Sequence, residues 1–141
     1  MKKLFSSSAA ALVIAACATP SAPTPEQKAF APVQAVLERN CVHCHGDQRL
    51  ATMPAIGDGK ALAKLVGPRN FIVPGKPQSS RFFFVVSMPD SVPGVMPPTG
   101  HAISKAEVAV LRDWIEKGAA IPEGRSRSIK FVPTGEPPRS R

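Results

Sequence analysis

Cys41-Val42-His43-Cys44-His45 is the stretch on which the reading of this chain turns. Two thiols stand three positions apart and an imidazole follows the second at once. Helix signals lead into the motif. Val33, Val36 and Leu37 recur at i, i+3 and i+4, and Pro32 suits a first helical position, where its missing N–H costs nothing. These signals predict a helix over 32–44 that ends on the motif. A longer helix from a capping box at Thr24 and Gln27 competes with it, but Pro32 would then interrupt the hydrogen-bond ladder. The shorter helix is the preferred reading.

C-x-x-C-H is the attachment pattern of a c-type haem. One helical turn between the thiols spans the two vinyl groups on one porphyrin edge, and the next residue swings over the ring face to reach iron. Thioether bonds make such a cofactor non-exchangeable, and imidazole is a good iron ligand. A redox dithiol or half of a zinc site is the rival reading. No thioredoxin-like βαβ pattern surrounds the motif, and no second C-x-x-C completes a four-cysteine zinc site. The expectation is one haem c held covalently by Cys41 and Cys44, with His45 on the iron. His43, between the cysteines, is expected to face solvent.

The second axial position has four downstream candidates: Met53, Met88, Met96 and His101. Met53 would need a tight reversal of the chain to reach the far face. Met88 and Met96 both precede proline, and the rigidity of Met96-Pro97-Pro98 suits a thioether held at fixed distance. Met96 also lies shortly before a well-marked terminal helix, so it is the expected ligand. That helix opens with the capping box Ser104-Lys105-Ala106-Glu107 and carries the apolar stripe Val108, Leu111, Trp114 and Ile115. Gly118 stops it and Pro122 follows. The stripe is expected to cross the helix that leads into Cys41.

Two shorter helices are predicted between these, over 60–66 after Asp58 and over 81–87 after Ser79 or Ser80. Phe82, Phe83 and Phe84 are a natural source of pocket wall, and residues 73–77 read as a turn. Arg81 or Arg69 is a candidate partner for a haem propionate.

The ends of the chain have a different character. Met1-Lys2-Lys3 followed by an apolar, alanine-rich run to Ala16 is a basic n-region and h-region. As a helix that run reaches roughly 20 Å, short of a ~30 Å hydrocarbon core, so residues 1–16 read as a signal peptide. Ile14-Ala15-Ala16-Cys17 resembles the bacterial lipoprotein processing box. The resemblance implies cleavage before Cys17 and a lipid on its sulfur. Residues 17–29 then form an anchor site and proline-rich spacer, 30–121 the domain, and 122–141 a basic extended tail with Arg125, Arg127, Lys130, Arg139 and Arg141.

The chain has 141 residues, which allows one domain with unpacked ends, and sixteen prolines, which argue for long irregular connections. A formal charge of +8 could face an acidic protein or an anionic membrane. The positive charge is spread out, with no Arg/Lys-rich helix or aromatic-interleaved basic stretch, so nucleic acid is set aside.

Taken together, Cys41 to Gly46, Pro74 to Pro77, Met96 to Pro98 and Leu111 to Ala119 resemble the class I cytochrome c superfamily. The likeness is to small bacterial domains with C-x-x-C-H-G, P-G-K-P, M-P-P and a terminal L-x-x-W-I-x-x-G-A helix. It covers about residues 30–121. It implies an all-α, cytochrome c-like fold of short helices around one covalent haem, with long proline-rich loops and His and Met axial ligands. One departure stands out: residues 87–95 carry a second Met-Pro and extra proline and glycine ahead of Met96.

The function expected from this is a membrane-tethered, periplasm-facing carrier of single electrons between redox protein partners, not an enzyme. It would be anchored by lipid to the bacterial cell membrane or outer membrane. A fixed haem subunit of a larger respiratory or photosynthetic complex is the alternative. A haem enzyme or gas sensor with an open sixth site ranks behind both.

Overall fold

The computed structural model describes residues 22–98, 100–122 and 129–135. The apolar N-terminal segment with Cys17, and most of the basic tail including Arg125, Arg127, Arg139 and Arg141, lie outside the described residues. Among those described, the chain is all-α. Its helices are α1 (Pro25–Asn40), α2 (Val42–His45), α3 (Gly59–Ala63), α4 (Arg81–Ser87) and α5 (Lys105–Glu116), with a 3-10 turn at Pro77–Ser79. β pairing is limited to two isolated bridges, Asp58 with Lys130 and Val66 with Ile72. No helix among the described residues is long and apolar enough to cross a membrane.

The first helix departs from the sequence expectation. It starts at the Thr24–Gln27 capping box, so residues 25–29 belong to it and Pro32 lies inside it. An interior proline costs about 3 kcal/mol. Here Pro32 and Lys28, whose carbonyl would have accepted the missing N–H, are both exposed, so water can take the orphaned oxygen. Phe30 lies in the turn before Pro32 and is buried, its ring 6.1 Å from those of both Trp114 and Phe131. Burying a phenylalanine stabilises by about 2–3 kcal/mol and a good cap by about 1 kcal/mol. Together these offset the proline, and the stripe Phe30, Val33, Val36 and Leu37 continues across it.

α5 crosses α1 as its stripe predicts, with Leu111, Trp114 and Ile115 buried and the Trp114 ring edge-on to Phe30. The indole N–H is satisfied by the Ala120 carbonyl at 2.9 Å. The turn over 73–77 docks on the end of this helix. Gly75, at φ +74°, donates its N–H to the Ile115 carbonyl at 2.7 Å, satisfying one of the acceptors a helix end leaves open. α3 is shorter than expected, but Asp58 caps it, accepting from the Ala61 N–H at 2.7 Å. Leu37, Leu62, Ile72, Leu111 and Ile115 form the fully buried centre.

The C-terminal segment is the second departure. Residues 129–135 are extended, as expected of the tail, but they are packed onto the domain as a strap. Gly59 N–H donates to the Ile129 carbonyl at 2.8 Å and Phe131 N–H to that of Gly57 at 3.0 Å. Further on, the Thr134 N–H meets the Glu38 carbonyl and the Val132 N–H meets the Glu38 carboxylate. The Phe131 side chain is only 4% exposed and belongs to the core. Lys130 pairs with Asp47 at 2.8 Å, but both ends are exposed and such pairs contribute little. The apolar side chain holds the strap.

Candidate functional site

The C-x-x-C-H segment is the corner between α1 and α2. Cys41 breaks helical geometry while its N–H still reaches the Leu37 carbonyl at 2.8 Å. The next turn closes on itself, with the His45 N–H on the Cys41 carbonyl at 2.9 Å and the Gly46 N–H on the Val42 carbonyl at 2.9 Å. Glycine follows His45 for a steric reason: a Cβ at position 46 would lie 2.5 Å from the Val42 carbonyl oxygen. Val42 points into the core. His43 is not a free spacer, since its Nε2 donates to the Thr134 carbonyl at 3.2 Å and ties the motif to the strap.

On the other side of α2 lies a largely apolar, partly open cavity. Cys41, Cys44 and His45 line it together. Met53, Pro54 and Ile56 extend their wall, because the His45 main-chain carbonyl accepts the Ile56 N–H at 2.8 Å. A second wall is built from α4 and the loop after it. It comprises Phe82, Val85 and Val86 together with Met96, whose N–H bonds the Val85 carbonyl at 2.9 Å. Phe71, Pro97, Pro98 and Ile103 also line the cavity.

The imidazole is held in one tautomer. His45 Nδ1 lies 3.0 Å from the Pro54 carbonyl oxygen. A carbonyl can only accept, so Nδ1 carries the proton and Nε2 keeps a lone pair for a metal. Fixing the far ring nitrogen in this way orients the ring.

The two thiols are free. Desolvation, then the Glu107 carboxylate and then Cys44, push the Cys41 thiol up to about 12. It therefore stays protonated, the reverse of the lowered values that make redox dithiols reactive. Among the described residues no three His, Cys, Asp or Glu side chains form a metal-binding group. A zinc site of the usual four-ligand kind would have to draw ligands from outside them.

Glu107 anchors the corner. Its carboxylate accepts from Ser104 N–H and Oγ at 2.9 Å each, from Asn40 Nδ2 at 3.0 Å and from Arg39 at 3.3 Å, joining the end of α1 to the start of α5. Desolvation disfavours its charge. The Ser104 and Asn40 hydrogen bonds and the Arg39 guanidinium more than offset this, so its carboxyl lies below the usual range.

Of the candidates for a ligand facing His45, Met96 reaches the cavity. Met88 lines a separate groove beside Arg81 and Phe84, and His101 is not among the lining residues. Met53 does reach the cavity, by way of the tight reversal closed by its N–H on the Leu50 carbonyl at 2.9 Å. It belongs, however, to the wall of His45 and Pro54. Only Phe82 of the three consecutive phenylalanines lines the cavity: Phe83 is buried under the Arg112 guanidinium, and Phe84 is 61% exposed. Arg81 and Arg69 do not line it either. Sequence reasoning passed over Arg49, whose Nε is buried with no partner and which lies between His45 and Met53. It also missed Phe71 and Ile103, which stand in stretches without usable periodicity.

Comparison with known protein families, with curated proteins and with solved structures yields no match for this chain.

Proposed function

We propose that this chain is a mono-haem c-type cytochrome of class I type, a carrier of single electrons rather than an enzyme. The observation that carries the reading is the convergence of Cys41, Cys44, His45 and Met96 on one apolar cavity, with the imidazole already locked for ligation through Nε2. Cys41 and Cys44 would each add S–H across one vinyl double bond. Sulfur bonds one carbon and the proton goes to the other, so no oxidant is required. His45 from one wall and Met96 from the other would hold the iron. The haem iron would supply a one-electron redox couple. With His45 and Met96 both bound to it, the iron would have no open position for substrate, and a methionine ligand would raise its potential.

The remaining residues support that role. Phe71, Phe82, Val85 and Ile103 exclude water, which keeps reorganisation small. Arg49, like Arg81 and Arg69, does not line the cavity, but its buried, unpartnered Nε is a donor that would suit a propionate carboxylate. Export and lipidation at Cys17 would tether the domain to a membrane on its periplasmic side, facing redox protein partners.

The test is a denaturing gel stained for haem peroxidase activity. Wild type should stain, single Cys41→Ala or Cys44→Ala variants should stain weakly, and the double variant should be blank. Full staining of the double variant would overturn the reading.

A further inference from the structure

We infer that Asp90 is a positioning residue that holds Met96 in the cavity wall by clasping the loop that carries it. The inference rests on the reading of Met96 as the iron ligand. Val95 and Pro97, on either side of Met96, are buried, but among the described residues the loop between α4 and α5 has few main-chain ties to the rest of the fold. Pro89, Pro93, Pro97 and Pro98 have no N–H, and the bonds Val92 to Pro89, Val95 to Val92 and His101 to Pro98 each close only a short local turn. Met96 N–H on the Val85 carbonyl ties the loop to α4 at one point.

The Asp90 carboxylate does something different. Both its oxygens lie 2.9 Å from the Gly100 N–H, ten residues on, which closes a ring of chain with Met96 inside it. Gly100 stands at φ +92°, a backbone state that favours glycine. The acceptor is charged, which makes this a stronger bond than a neutral one. Met96 itself is 38% exposed, so burial alone does not fix its thioether. Asp90 lies in the very segment, residues 87–95, that departs from the pattern the rest of the chain resembles.

Haem-loaded wild type, Asp90→Ala, Asp90→Asn and Met96→Ala would be compared by the far-red absorption of ferric iron bound to thioether sulfur and by the rate of cyanide binding. A hydrogen bond to a charged group contributes enough that its loss should raise the open-loop population, and hence the cyanide rate, on the order of tenfold. Asp90→Ala is expected to weaken the band and speed cyanide by that factor while the gel-stained haem stays attached. Asp90→Asn, which keeps an acceptor oxygen, should restore most of the wild-type behaviour. If Asp90→Ala binds cyanide at the wild-type rate with an unchanged band, the clasp is wrong and the Met96 assignment stands. If the wild-type band is missing, or survives in Met96→Ala, the Met96 reading fails and the clasp falls with it.

Discussion

His45 and Pro54 are joined by a 3.0 Å hydrogen bond from imidazole Nδ1 to the backbone carbonyl. The proline matters through its conformational restriction, since the oxygen it presents is held by a backbone with one fewer free torsion. The bond makes this wall a unit: α2 supplies the imidazole, and the chain from Met53 to Ile56 supplies both the acceptor and an apolar surface beside it. Met96 is held by a different part of the fold, through Val85 of α4 and the loop before α5. In the proposed reading, these two separately built walls would each supply one ligand to the haem iron.

Glu107 makes stability depend on acid in a defined direction. Its carboxyl is lowered in the folded protein, so the stabilisation is complete above the ordinary glutamate value and disappears as pH falls through the folded one. Glu107→Gln should reduce stability near neutrality by about 1–2 kcal/mol. In urea unfolding the gap between wild type and variant should stay level near neutral pH and shrink in acid. A gap that widens with acid would contradict this role.

Phe131 should behave as a core residue although it lies in the basic C-terminal region. Phe131→Ala should lower stability by about 3–5 kcal/mol, whereas Val132→Ala, with its neighbouring side chain 63% exposed, should change little. Thermal unfolding of the two variants separates a packed strap from a loose tail.

Pro32→Ala should stabilise the protein. The change restores an N–H to the Lys28 carbonyl on an exposed face of α1, and removing an interior proline recovers up to about 3 kcal/mol. A lower melting temperature would mean that the helix depends on proline at this position.

The legible parts of the fold were those with local chemistry. The Ser104–Glu107 box and the stripe through Trp114 placed α5, Asp58 marked the start of α3, and the motif at Cys41 placed the site at a helix end. What escaped was decided by distant partners. Pro32 reads locally as a helix start, because nothing near it in sequence shows that Phe30 buries against Trp114 and Phe131 and carries the helix across the proline. Phe131 reads as part of a tail, because one aromatic residue among arginines and prolines has no period to reveal its burial. Met53 lines the cavity beside His45 and Pro54 and not on the facing wall, in keeping with its nearness to His45 in sequence. The separation of Met88 from Met96 likewise depends on how the loop is fastened to Val85, which no spacing rule encodes.

The most direct test of the central claim, that Cys41, Cys44, His45 and Met96 form one haem site, is the visible spectrum of the oxidised protein beside its Met96→Ala and Met88→Ala variants. A low-spin c-type spectrum is expected, with a weak far-red band from iron–sulfur ligation that disappears in Met96→Ala and persists in Met88→Ala. A spectrum without that band, or one in which it survives the loss of Met96, would contradict the site.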